Sequence, residues 1–258
     1  MPRTKNAVAK RNTTAVAESE VPEYLKNNDI DDNIESSDIV IPRLKICQAM
    51  SKIKNDIEIK EGDLYNSMTQ EVYGQKLSMF VLLYWKNIVW FSEDFKMLGA
   101  LFTNRSGQEI WAGSDVEHCK QAPEDGKDSF NYMVVTADEL MDMLKTGSVS
   151  IPSIFSCMSA ALSGARQLNG KIKVNSMKKI PMYAQLVNIE TVKKSFPKGS
   201  AFVPQFSYGR YATEEEFALL ARLRESAKAM QDAVSAQVET EPEDADSDVS
   251  TDLPETPL

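Results

Sequence analysis

The chain of 258 residues contains a single histidine, His118, and three cysteines, Cys47, Cys119 and Cys157, far apart in sequence. One His-Cys pair without a second pair at ligand spacing is not a zinc site, so no metal is expected. The odd, scattered thiols fit a reducing compartment and no disulfide framework. No Gly-x-x-x-x-Gly-Lys-Ser/Thr phosphate loop and no Gly-x-Ser-x-Gly elbow occur. Carboxylates of the central region are sparse and unpaired, and Asp138, Glu139 and Asp142 fall at a helix start, where they serve the helix dipole. These gaps favour a binding role over an enzyme, with no cofactor. No apolar run reaches the roughly 18 residues of a membrane span, and the N-terminus lacks the apolar region of a secretory signal. A cytoplasmic protein is expected.

Two further scarcities concern charge. The stretch from Asp232 to Leu258 has nine acidic residues and no Lys or Arg, and accounts for the whole net charge of −9. Conversely, Ile151 to Thr213 holds nine basic residues and one acid, Glu190, a net +8. A pI near 4.9 therefore hides a segregated basic surface, and segregation rather than the total decides what a surface attracts.

The ends are too polar to offset chain entropy by burial. Residues 1–37 open with Arg3, Lys5, Lys10 and Arg11 and turn Asn/Asp-rich, and residues 239–258 are acidic with three prolines. Both are expected to be disordered. They flank a core at 38–212 and a helix at 213–238, which starts with the Thr213–Glu216 capping box and carries Phe217, Leu220, Leu223 and Ala227 at helical spacing.

Within the core, alternation predicts strands at 39–50, around Leu44 and Ile46, and at 53–59. The apolar run from Lys76 to Phe91 predicts a central strand covered on both faces, with Leu77, Met79, Val81, Leu83 and Trp85 on one side and Phe80, Leu82, Tyr84 and Lys86 on the other. Two short strands flank a turn at 104–107, residues 115–128 read as a surface loop, and 130–136 as a strand. Thr136 and Gly147 bracket a short helix. A strand at 151–158 precedes a helix from Ser159 to about Gly170, and strands follow at 171–177, 181–192 and 201–208. The pattern is β-rich α+β, compatible with an elaborated antiparallel barrel of oligonucleotide-binding type with inserted helices.

Single-strand binding needs cations along the phosphates and aromatic faces for the bases. The candidates are Arg166, Lys171, Lys173, Lys178, Lys179, Lys193, Lys194, Phe196, Lys198, Tyr208, Arg210 and Tyr211, with Tyr84, Lys86, Trp90, Arg105 and Trp111 from the earlier strands. Lys171 and Lys173 would share a strand face about 7 Å apart. Trp111 is the best candidate for an exposed indole. Phe202 and Phe206 suit a core more than a stacking surface, and a lysine run is more often plain solvated surface. The local imbalance of nine bases to one acid favours binding.

The layout of polar start, β-rich core, basic-aromatic segment, helix and acidic tail resembles bacteriophage single-stranded DNA-binding proteins with an acidic tail. The segment Ile41-Pro-Arg-Leu-Lys-Ile with Gln48, and that from Pro181-Met-Tyr-Ala to Phe202-Val-Pro-Gln-Phe206, are similar to segments of phage proteins. The resemblance implies a non-sequence-specific binder of single-stranded DNA in phage replication or recombination, placed in the host cytoplasm. Its tail, Glu239, Glu241, Glu243, Asp244, Asp246, Asp248, Asp252 and Glu255, would compete for the groove and recruit replication proteins or an RNA polymerase. A transcription cofactor, or an assembly protein that uses Leu77–Tyr84 as an oligomer interface, are the alternatives.

Overall fold

A computed structural model describes residues 41–93, 96–104, 107–197 and 199–236, with side chains through Lys228. The N-terminal segment, Arg105, Lys198 and the acidic tail lie outside the described residues. The strands are β1 (Arg43–Ile46), β2 (Leu64–Asn66), β3 (Val72–Gly74), β4 (Lys76–Phe91), β5 (Met97–Thr103), β6 (Glu109–Ala112), β7 (Lys127–Thr136), β8 (Ser153–Met158), β9 (Gln185–Phe196) and β10 (Gly199–Tyr211). The helices are α1 (Val116–Gln121), α2 (Ala137–Thr146), α3 (Leu162–Met177) and α4 (Glu214–Ala236). No described helix is long and apolar enough to cross a membrane.

The fold is mixed α+β and strand-rich. All ten strands join one sheet in the order β10-β9-β4-β7-β8-β1-β2-β3, with β5 and β6 added beside β4. Every pairing is antiparallel except β1 with β8. The expected barrel is not formed. A barrel needs its first and last strands to share a ladder, and β10 and β3 end the sheet without one. One side chain bridges the gap instead. The Gln48 amide donates to the Phe202 carbonyl at 2.8 Å and accepts from the Phe202 N–H at 2.9 Å. It gives the β10 edge the two bonds that a neighbouring strand would supply. Next to it, Gly62 (φ +88°) lies so close to Phe202 that a Cβ there would be 2.5 Å from the ring.

β4 is the central strand, as its apolar run predicts, but its faces differ from simple alternation. Its register against β7 shifts between Val81 and Leu83. An extra residue in one strand reverses the in–out sense of everything beyond it. Leu77, Met79 and Val81 pack in one cluster, and Tyr84, not Leu83, continues that face. Phe80, Leu82, Leu83 and Trp85 pack in the other. Helices α2 and α4 cover this second cluster through Leu140, Met143, Leu220, Leu223 and Ala227. Helix α3 covers the first through Ala165 and Leu168. At about 1.5–3 kcal/mol per large apolar side chain, this two-sided burial is the main stabilising term. It buries Leu77 and the run Met79–Leu83, and leaves Tyr84 half-buried.

Three local expectations change. Residues 53–59 do not form a strand: Lys52–Asn55 is a turn of 3-10 helix from which Ile53 reaches the small cluster of Cys47 and Tyr65. Within the polar 115–128 loop, Asp115 accepts from the His118 N–H and caps α1, and Cys119 is buried while His118 is exposed. Residues 171–177 continue α3. Ala165, Leu168 and Ile172 stand at i, i+3 and i+7 against the sheet, and this burial outweighs the alternation and the helix-weakening Gly170. By contrast, the capping boxes at Thr136/Glu139 and Thr213/Glu216 form as their sequences predict.

Candidate nucleic-acid interface

The basic segment is β8-α3-β9-β10, and the fold gathers it at one margin of the sheet. β9 and β10 form a long hairpin that pairs from Gly199↔Phe196 to Tyr211↔Gln185. Pro204 fits β10 because an edge strand needs no donor on its outer side. Helix α3 lies against this edge strand. Gly164 permits the approach, since a Cβ there would be 2.6 Å from the Pro204 carbonyl oxygen.

Phe202, Phe206 and Tyr208 share one face of β10 by parity. Phe206 packs edge-on against Phe155 at 6.2 Å and, like Tyr208, is partly buried against the cluster under α3, whereas Phe202, also expected in the core, is half-buried outside it. Phe202 and Tyr208 each carry a cation. Lys193 Nζ lies 5.7 Å from the Phe202 ring centre, and Lys171 Nζ lies 5.4 Å from that of Tyr208. Six residues of strand put these two platforms about 20 Å apart. Burial pushes the Tyr208 hydroxyl up to about 12, so the phenol stays neutral. Lys194 and Phe196 complete the hairpin end, the first exposed and the second half-buried.

The ion pairs divide the candidate cations into two groups. Lys86 pairs with Asp128 at 2.7 Å, and Arg166 approaches the same carboxylate at 3.9 Å. Arg210 binds Glu216 through both guanidinium nitrogens at 2.6 Å and so anchors the start of α4. That hydrogen-bonded pair raises the arginine and holds the Glu216 carboxyl down at about 2. Among the described residues, Lys171, Lys173, Lys178, Lys179, Lys193 and Lys194 have no carboxylate partner. Glu190, on the same strand as Lys193 and Lys194, turns its carboxylate to Lys76 at 2.9 Å. Lys178 and Lys179 also follow the C-terminus of α3, where cations complement the dipole.

Lys171 and Lys173 do not share a strand face. Two residues apart on a helix, they project about 200° apart. Lys171 leans on Tyr208, whereas Lys173 lines a cleft of about 510 Å³ on another flank of α3, together with Tyr84. Sequence reasoning missed two members of that cleft, Tyr183 and Arg224. Arg224 sits over the Tyr183 ring at 5.5 Å, and Tyr183 stacks on Phe217 at 5.2 Å. Spacing along α4 gives no sign of this, because the contact depends on the 3-10 turn at Met182–Ala184.

The tryptophans stand apart from this margin. Trp90 is buried and donates its indole N–H to the Ala122 carbonyl at 2.8 Å. Trp111 is half-buried, tilted against Trp90 at 5.3 Å and covered by Lys120 at 5.9 Å. Tyr84 is half-buried between Phe130 and Tyr132, and Tyr211 is the most exposed aromatic of the segment.

These features define a strand-rich α+β protein with an open sheet and a basic margin whose lysines lack carboxylate partners among the described residues. The chain belongs to the Pam3 phage gp34-like protein family, whose model matches residues 11–237, which makes it a phage protein. No curated protein and no solved structure matches it.

Proposed function

We propose that the protein binds single-stranded DNA without sequence specificity in phage replication or recombination, through the margin built from α3, β9 and β10. One observation carries this reading: among the described residues, Lys171, Lys178, Lys179, Lys193 and Lys194 there lack carboxylate partners, and two of them rest on aromatic rings. A strand would lay bases on Phe202 and Tyr208, and Lys193 and Lys171 would move from ring to phosphate. The cost of displacing each cation is small at an exposed site, about 0.5–1 kcal/mol, against about 1–3 kcal/mol for a stacked base. The acidic tail from Glu239 onward would occupy the margin when no strand is present, and is also the natural handle for partner proteins.

The test is fluorescence anisotropy of a labelled thirty-base oligothymidine over a salt series, with a duplex control. Full-length protein should bind the single strand with an affinity that falls steeply with salt, by about 0.7 in log–log slope per phosphate contact. Lys193→Ala with Lys194→Ala should lower the slope by about 1.4. A truncation after residue 238 removes the tail and keeps α4, and should bind more tightly at low salt. Equal affinity for duplex, or a slope unchanged in the double variant, would place any binding elsewhere.

A further inference from the structure

The cleft between α3, the Ile180–Tyr183 turn and α4 has a composition of its own. Its walls include Ile172, Ile180 and Met182, two cations, Lys173 and Arg224, open into it, and no carboxylate lines it. The absence of acids matters in a chain with 38 of them. The volume of about 510 Å³ falls within the range of small-molecule sites, roughly 300–1,000 Å³. Apolar walls with two cations and no anion select a ligand that is flat and apolar at one end and anionic at the other.

Two polar details sharpen that selection. The Nε of Arg224 is buried and has no hydrogen-bond acceptor, a donor whose desolvation goes uncompensated until an acceptor arrives. Its Nη1 meets Glu225 only at 3.5 Å, and Glu225 is largely exposed, so the guanidinium can turn toward an anion in the cleft. Asn169 also lines the cleft. The Tyr132 hydroxyl lies between its Oδ1 at 2.9 Å and the Ala165 carbonyl at 3.2 Å, and the Tyr84 hydroxyl reaches the same amide, so the two phenols fix the side chain as a polar group in an otherwise apolar wall.

We propose that this cleft binds one nucleoside phosphate unit. The base lies against Ile172 and Met182 with its polar edge toward Asn169, and the phosphate sits between Lys173 and Arg224. The site goes beyond the strand-binding reading, because it uses other residues on another flank of α3. A free nucleotide and the 5′-phosphorylated end of a strand present the same chemistry, so both are probed.

Calorimetry on the full-length chain would compare thymidine 5′-monophosphate, thymidine and inorganic phosphate. The monophosphate should bind at least about tenfold more tightly than either part. Lys173→Ala and Arg224→Gln should each weaken it about tenfold, while the Lys193/Lys194 double variant binds it normally. Anisotropy with 5′-phosphorylated and 5′-hydroxyl oligothymidine separates the two sources. A preference for the phosphorylated end that Lys173→Ala abolishes identifies a strand terminus, and monophosphate binding without that preference identifies a free nucleotide. If the monophosphate gives no heat and the end phosphate has no effect, the proposal fails. It fails equally if binding is indifferent to both cleft substitutions. Salt-dependent binding of the 5′-hydroxyl oligonucleotide is decided independently, so either reading can fall without the other.

Discussion

Glu216→Gln should destabilise the protein in a way that depends on pH. Glu216 is 3% exposed and holds three bonds at once: two from the Arg210 guanidinium at 2.6 Å and one from the Thr213 N–H at 2.7 Å. Together they fasten the first turn of α4 to the end of β10. The hydrogen-bonded Arg210, chiefly, holds the carboxyl down at about 2 from an ordinary 4.5. At about 1.4 kcal/mol per pH unit, the full shift would correspond to about 3 kcal/mol. Arg210 is half exposed, however, and water screens the pair, so about 1.5 kcal/mol is the expected contribution. A carboxyl whose folded value lies below its unfolded value stabilises fully above about pH 4.5, and that stability is lost as pH falls toward 2. Because Leu220, Leu223 and Ala227 of α4 are core residues, global unfolding reports the loss. Thermal melts of wild type and variant should differ by about 3–6 °C at pH 7, and by less than half of that at pH 3. A difference that stays constant from pH 7 to pH 3 would mean that shape rather than charge matters at this position.

Two further outcomes follow from the bridge between the sheet's edges. Gln48→Ala strands the N–H and C=O of Phe202 and should cost about 1–3 kcal/mol in chemical denaturation, whereas Gln48→Glu, which keeps one acceptor, should cost less. Gly62→Ala meets both a left-handed backbone and the Phe202 ring, and should lower stability by about 1–3 kcal/mol in the same assay.

Much of the fold is legible in local chemistry. The capping boxes at Thr136 and Thr213, the β4 run and the turn at Asn104 each rest on residues within a few positions of one another, and each forms. The misread parts depend on distant partners. The extra residue near Leu82 leaves no mark in an unbroken apolar run, yet it decides that Tyr84 and not Leu83 faces α3. The pattern Lys171-Ile172-Lys173-Val174 alternates as well as any strand, and only the sheet beneath Ala165, Leu168 and Ile172 makes it helix. The bridge at the open edge depends on Gln48 reaching a residue 154 positions away. Of the candidate site, the basic segment was visible as composition. The split between paired and unpaired cations was not, because Asp128 and Glu216 lie outside the stretch that their partners make conspicuous.

That split is the strongest argument that the basic margin is functional. A surface selected only for solubility needs net charge, and nothing obliges it to keep one sign unpaired in a chain with 38 acids and 29 bases. Here the neutralising contacts fall elsewhere. Asp128 serves two cations, Glu216 holds Arg210 and the Thr213 N–H, and Glu190 bonds across to β4. Five ammonium groups of the margin, those of Lys171, Lys178, Lys179, Lys193 and Lys194, are left with no carboxylate partner among the described residues. Their mutual repulsion costs stability, while two of them hold aromatic faces that suit stacking. In the proposed function the eight acids from Glu239 onward are the counter-charge. Tethered to the same chain, they would, on the proposed reading, act at an effective concentration in the millimolar range, enough to occupy the margin reversibly without blocking a polyanion that offers both phosphate and base. A fixed carboxylate beside each lysine would relieve the repulsion equally well, but would not give way to a strand.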